Sequence, residues 1–158
     1  MAKQEIRLLV QYPPITTAPL TFPVVILMQR FKVLIVEDDG DMRGLYCFLL
    51  ANEGYQVKAV RNGLEAITEI QINRPDVVMT DIAMPTLSGL ELIKAIRAHG
   101  ELADLPVIAM TSFSKDFRER ALEAGADGAI GKPTEVAELC EAIHSVVSRS
   151  RPLAPQTE

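Results

Sequence analysis

Glu37, Asp38 and Asp39, then Asp81, Thr111 and Lys132, are the residues of this chain whose types and settings could do chemistry together. Each follows a short apolar run: Lys32-Val-Leu-Ile-Val36 before the acids, Val77 to Thr80 before Asp81, Pro106-Val-Ile-Ala-Met110 before Thr111, and Asp127-Gly-Ala-Ile-Gly131 before Lys132. Such runs read as strands buried on both faces of a parallel sheet. Pro85 cannot donate to a ladder, so the third run stops just after Asp81. With right-handed crossovers all strand carboxyl ends share one edge, where open α/β sheets hold their ligands. Taken singly, each residue has an ordinary explanation: the acids favour a helix N-terminus, Asp81 a turn, Thr111 a strand end, Lys132 solvent. Their joint arrival on one rim asks for more. Crowded carboxylates raise one another's pKa unless a cation sits among them. Magnesium suits such a set, since it takes oxygen ligands at about 2.1 Å and keeps several waters. A metal, an ammonium and a hydroxyl are what a phosphoryl group needs around its oxygens, because its transfer is mostly positioning and charge neutralisation. Asp81 is then the nucleophile, forming an acyl phosphate.

The intervening sequence supplies the helices that must position these groups. Helical pattern runs from Asp41 to Glu53 and is closed by Gly54. A second strand spans Tyr55 to Val60; Asn62 with Glu65 then forms a capping-box pattern, with Leu64, Ile67 and Ile70 on one stripe. Ser88 with Glu91 repeats the pattern, and Leu90, Ile93 and Ile96 turn inward. Ser114 is the expected cap of a fourth helix that Gly125 stops, and Thr134 of a fifth with the stripe Val136, Leu139, Cys140, Ile143, Val146 and Val147. Five strands alternating with five helices predict an α/β three-layer sandwich.

Composition narrows the function classes. Hydrophobic residues at 48% and charged ones at 23% are ordinary for a soluble globular domain. A net charge of −5 gives no basic excess with which to neutralise phosphates, so general nucleic-acid or anionic-membrane binding is not expected. No apolar run reaches the roughly 20 residues of a membrane span. Cys47 and Cys140 lack metal-ligand spacing and read as small buried hydrophobes in a reducing cytoplasm. Residues 1–30, with prolines at 13, 14, 19 and 23, are expected to form a poorly ordered extension, and Met28 is a candidate natural start. Residues 149–158 are expected to be a disordered tail.

The motifs Val36-Glu37-Asp38-Asp39, Asp81-Ile-Ala-Met-Pro85, Ser88-Gly89, Met110-Thr111-Ser112, Gly125-Ala-Asp127 and Lys132-Pro133, in this order, resemble those of the receiver domain of bacterial response regulators. The resemblance covers residues 31–148 and implies a stand-alone, flavodoxin-like (βα)5 fold with strand order 2-1-3-4-5. It implies that Asp81 is the phosphoacceptor and that magnesium is held by Asp38, by Glu37 through water, by Asp81 and by the backbone carbonyl of Ala83. Thr111 matches the switch hydroxyl and Lys132 its cationic partner, with a cis Lys132-Pro133 bond. Asp39 lies one place past the usual acidic pair and is not expected to be a ligand. The implied partners are a histidine kinase or a histidine phosphotransfer protein, and a downstream protein target, in the cytoplasm.

Three departures from the pattern matter. Ala129 stands where the family usually has an aromatic residue that follows the threonine inward, so that relay lacks its moving part. Ala83 and Phe113 flank the path of attacking water and cannot orient it by hydrogen bonding, which predicts slow self-dephosphorylation. Leu45-Tyr-Cys-Phe-Leu-Leu-Ala51 is apolar on nearly every side, so Cys47 and Phe48 are expected to face outward, and this helix is the expected kinase docking surface. Two other functions compete. An aspartate-nucleophile phosphohydrolase wants an acid where Ala83 stands and ranks far lower, while a phosphorylation-independent scaffold gains some weight from Ala129. No helix-turn-helix pattern follows Ser148, and His99 and His144 lie away from the rim, as surface or packing residues rather than phosphocarriers.

Overall fold

Side chains alternate across a strand, so a continuous apolar run must bury two faces at once. In the computed structural model, which describes residues 31–112, 115–132 and 134–150, the first run does this. Strand β1 (Lys32–Val36) sends Val33 and Ile35 into one core cluster and Leu34 and Val36 into the other. The remaining elements follow in alternation: α1 (Gly40–Asn52), β2 (Gln56–Val60), α2 (Gly63–Ile72), β3 (Val77–Asp81), α3 (Gly89–Ala98), β4 (Val107–Thr111), α4 (Lys115–Glu123), β5 (Gly128–Gly131) and α5 (Val136–Ser150). All strand pairs are parallel, in the order β2-β1-β3-β4-β5. The order reverses beside β1, so the connections leaving β1 and β3 run to opposite faces of the sheet and leave a crevice between them. Helices α1 and α5 cover one face through Tyr46, Leu50, Leu139, Ile143, Val146 and Val147. Helices α2, α3 and α4 cover the other through Ala66, Ile70, Leu92, Ile93, Ile96 and Ala121. This is the three-layer α/β architecture that the alternation predicts.

Several local details differ from the sequence reading, each for a physical reason. Helix α1 begins at Gly40, because Asp39 is its cap: the Asp39 carboxylate accepts the Met42 N–H at 2.8 Å. Asn62 accepts the Glu65 N–H at 2.9 Å, but the box is not closed: Glu65 takes the Arg61 N–H and guanidinium, at 3.2 and 2.7 Å, in place of the Asn62 N–H. The buried stripe of α2 is Gly63, Ala66 and Ile70, which leaves Leu64 55% exposed. At α3 the capping box is complete, and Leu92 with Ile93 and Ile96 forms the inward face while Leu90 is half-buried. Thr134 donates its hydroxyl to the Glu138 carboxylate at 2.6 Å and lies two residues before α5 begins at Val136. Helix α5 continues through Ser150, past the Ser148 boundary read from the sequence. The 1–30 extension, Met28, Phe113, Ser114, Pro133 with its peptide bond, and residues 151–158 lie outside the described residues.

Candidate functional site

The carboxyl end of β1 delivers Glu37 into the crevice, because the Glu37 N–H still pairs with Val60 O at 3.1 Å as though the strand continued. The chain then turns. The Glu37 carboxylate accepts the Asp39 N–H at 3.2 Å, Asp39 caps α1, and Asp38 is left exposed at the apex. Asp81, the last residue of β3, is hydrogen-bonded in register opposite Met110 and only 9% exposed. Its carboxylate faces the β3–α3 turn, where Oδ1 accepts the Ala83 N–H at 3.4 Å. That turn is tight: the Gly89 N–H donates to Ile82 O at 3.0 Å, and Thr86 sits at φ 73°.

One carboxylate oxygen each from Glu37, Asp38 and Asp81 can be chosen so that all lie within 4.8 Å of one another. The Lys132 side chain, 9% exposed, reaches into the same pocket. Its ammonium donates to Glu37 Oε2, stands 3.4 Å from Asp81 Oδ2, and lies 5.9 Å from the centre of the Tyr46 ring. The Lys132 backbone is fixed by its N–H donating to Thr111 O at 2.8 Å, and Thr111 itself is buried at the end of β4. Thus four strand ends bring Glu37, Asp38, Asp81 and Lys132 together and set Thr111 next to Lys132, while Asp39 turns aside to cap α1. Ala83 is placed beside Asp81, two residues along the chain.

The electrostatics follow from this burial. Desolvation pushes the Glu37 carboxyl above its usual value, and the hydrogen bond from Lys132 only partly opposes it. Burial also works against the charge on Lys132, but the Glu37 hydrogen bond and the Asp81 charge outweigh it and hold the ammonium above its usual value. Two acids sharing one ammonium, with a third beside them, make an all-oxygen donor set with negative charge to spare. Such a set fits a hard divalent cation better than a soft one.

Sequence reasoning missed two residues that shape the pocket. Arg43 reaches back from α1, and its Nη1 donates to the Glu37 and Asp38 carbonyls at 2.8 and 3.2 Å. Tyr46 is 2% exposed beneath Lys132, and its hydroxyl has no hydrogen-bond partner among the described residues. Helical spacing from Asp39 offers some hint of Arg43; nothing in the sequence distinguishes Tyr46 from plain core. Expectations for α1 are met in part: Phe48 and Leu45 are 63% and 46% exposed, whereas Cys47 is half-buried against the core.

Comparison with known proteins agrees with this geometry. The sequence profile of the response regulator receiver domain matches residues 33–144. The polar-differentiation response regulator DivK of Brucella anthropi is 40% identical over 115 residues, which cover 72% of this chain and 94% of DivK. The response regulator MprA of a Mycobacterium species is 36% identical over 77% of this chain, which spans only 52% of MprA. Among solved structures, the receiver domain of the Pseudomonas aeruginosa sensor histidine kinase PA1611 aligns with a TM-score of 0.70 at 28% identity, over 75% of this chain and 98% of that one. That structure holds a magnesium ion coordinated in its active site cleft.

Proposed function

As this chain belongs to the response regulator receiver family, we propose that it accepts a phosphoryl group on Asp81 from a phosphohistidine donor and signals through protein contacts. The observation that carries the reading is the Lys132 ammonium shared between Glu37 and Asp81, inside a cluster of three carboxylates. Magnesium would be held by Asp38 and Asp81, by Glu37 through water, and by the Ala83 carbonyl. When bound it supplies positive charge to the oxygens of the incoming phosphoryl group.

An oxygen of the Asp81 carboxylate attacks phosphorus, and the P–N bond to the donor imidazole breaks. The bonding pair leaves with the imidazole nitrogen, which ends as neutral histidine after proton exchange with solvent. Lys132, already beside Asp81, exchanges part of its contact with Glu37 for the new phosphoryl oxygens. Thr111 lies on the neighbouring strand end, and its hydroxyl donates to the same oxygens. Its movement would carry the signal to the α4–β4 side without an aromatic relay, since Ala129 is buried on β5 with no side chain to swing.

The donor, a histidine kinase or histidine phosphotransfer protein, docks on the outer face of α1 around Phe48 and Leu45, next to the acidic rim. Output passes to a protein target in the cytoplasm rather than directly to nucleic acid. Phosphotransfer profiling against the host's histidine kinases tests this. One kinase is expected to label the chain far faster than the rest, more slowly in Phe48→Ala and not at all in Asp81→Asn. Labelling that survives Asp81→Asn contradicts the proposal, and absence of labelling by every donor favours a phosphorylation-independent scaffold.

A further inference from the structure

Charge alone does not explain the placement of Arg43 at the pocket. A guanidinium bonded to the main chain of the acidic loop lowers, through its charge, the loop's attraction for a cation, so if electrostatics set its role it would work against metal uptake. Its hydrogen bonds suggest a different role. The loop Glu37-Asp38-Asp39 is tied at its start by the Glu37 N–H to Val60 O and at its end by the Asp39 cap on Met42. Between these ties the main chain must turn while aiming two carboxylates at one point. Arg43 Nη1 spans that turn, donating to the carbonyls on both sides of it at 2.8 and 3.2 Å, from a half-buried position on α1.

On the strength of the metal-binding reading above, we propose that Arg43 is a positioning residue that sets the acidic loop for magnesium. Small hard cations demand near-octahedral geometry, so a ligand loop free to wander loses affinity even with its carboxylates intact. Positioning and charge therefore predict opposite signs. If charge dominated, Arg43→Gln would tighten magnesium binding and Arg43→Lys would leave it unchanged. If positioning dominates, both variants weaken it, because the lysine nitrogen stops one bond short of the Nη1 position that reaches both carbonyls and the glutamine amide stops two bonds short.

The test is calorimetric titration of the full chain with magnesium chloride, on wild type, Arg43→Lys and Arg43→Gln. Melting curves without metal show that each variant is folded at the titration temperature. Affinity is expected to fall roughly ten-fold in Arg43→Lys, in the range found for partners one shell beyond a metal. Exchange of the Asp39 amide is expected to quicken in both variants while amides of β4 keep their wild-type rates. Magnesium binding in Arg43→Gln as tight as wild type, or tighter, overturns the inference. Should that variant not fold, wild-type affinity in Arg43→Lys does the same. A wild-type chain that takes up no magnesium overturns the metal reading and this inference together, whereas undiminished binding in the variants overturns the inference alone.

Discussion

Changing Gly89 to alanine adds one methyl group where the main chain leaves no room for it. A Cβ at this first position of α3 would stand 2.1 Å from the Asp81 carbonyl oxygen, 2.8 Å from Ile82 Cα and 2.9 Å from the Asp81 carbonyl carbon. Ordinary carbon contacts lie at about 3.5–4.0 Å, so the helix or the end of β3 must shift by more than a bond-angle adjustment. All three neighbours are backbone, and none can rotate aside. The cost belongs near the top of the range for overpacked sites, about 3 kcal/mol, before a partial offset from alanine's helix preference. Gly44 provides the matched control: it sits inside α1, and a Cβ there meets nothing within 4 Å. Gly44→Ala should therefore stabilise by about 1 kcal/mol through helix propensity alone. For a chain of this size the expected shifts in melting temperature are a fall of about 6–12 °C for Gly89→Ala and a rise of about 2–4 °C for Gly44→Ala. Calorimetry or urea titration reads both. Magnesium uptake should also weaken in Gly89→Ala, since the displaced backbone carries Asp81. A Gly89→Ala protein as stable as wild type would refute the close approach from which this reasoning starts.

Arg97 donates to the carbonyls of Ala103, Leu105 and Gly125 and to the Asp127 carboxylate, which also takes the Val107 N–H at 2.8 Å. With about 1 kcal/mol for each of the two part-buried hydrogen bonds, to Gly125 and Leu105, and less for the exposed ones, Arg97→Ala should cost roughly 2–3 kcal/mol, while removal of the exposed Arg74–Asp104 pair should barely move the urea midpoint; equal midpoints would contradict this. Burial holds the Tyr55 hydroxyl well above its usual value of 10.0, so its contribution is complete below that pH and drains away as pH rises toward the folded-state value. Wild type should accordingly lose stability above pH 10.0 more steeply than Tyr55→Phe, and parallel declines would count against it. Ala83 is exposed beside Asp81 and offers no side-chain hydrogen bond to an attacking water. Ala83→Asn should speed loss of the acyl phosphate severalfold, and an unchanged decay rate would remove that explanation for slow turnover.

Layer count and the rim that gathers Glu37, Asp38, Asp81, Thr111 and Lys132 were legible because parallel strands and right-handed crossovers leave one edge for all carboxyl ends, whereas the strand order was implied only by the resemblance of the motifs to the receiver family. Glycine at 89 was visible only as part of a motif; its cause, contact with the Asp81 backbone, is spatial. What periodicity could not supply were contacts made by long side chains over long sequence separations. Arg97 reaching Asp127 and Lys132 reaching Glu37 join residues 30 and 95 positions apart. Leu64 misled for a related reason: its spacing fits a buried stripe, but the small residues Gly63 and Ala66 occupy the inward face because α2 lies close to its neighbours, with Leu87 within 2.7 Å of a Cβ at Gly63. Arg61 diverted Glu65 from its cap, a competition that a four-residue pattern does not record.

The most direct measurement is intact-mass spectrometry of the chain after incubation with acetyl phosphate, with and without magnesium, in wild type and Asp81→Asn. A single hydroxylamine-labile phosphoryl group is expected in the wild type only, and only with magnesium present. No mass gain in the wild type, or an equal gain in Asp81→Asn, would contradict it.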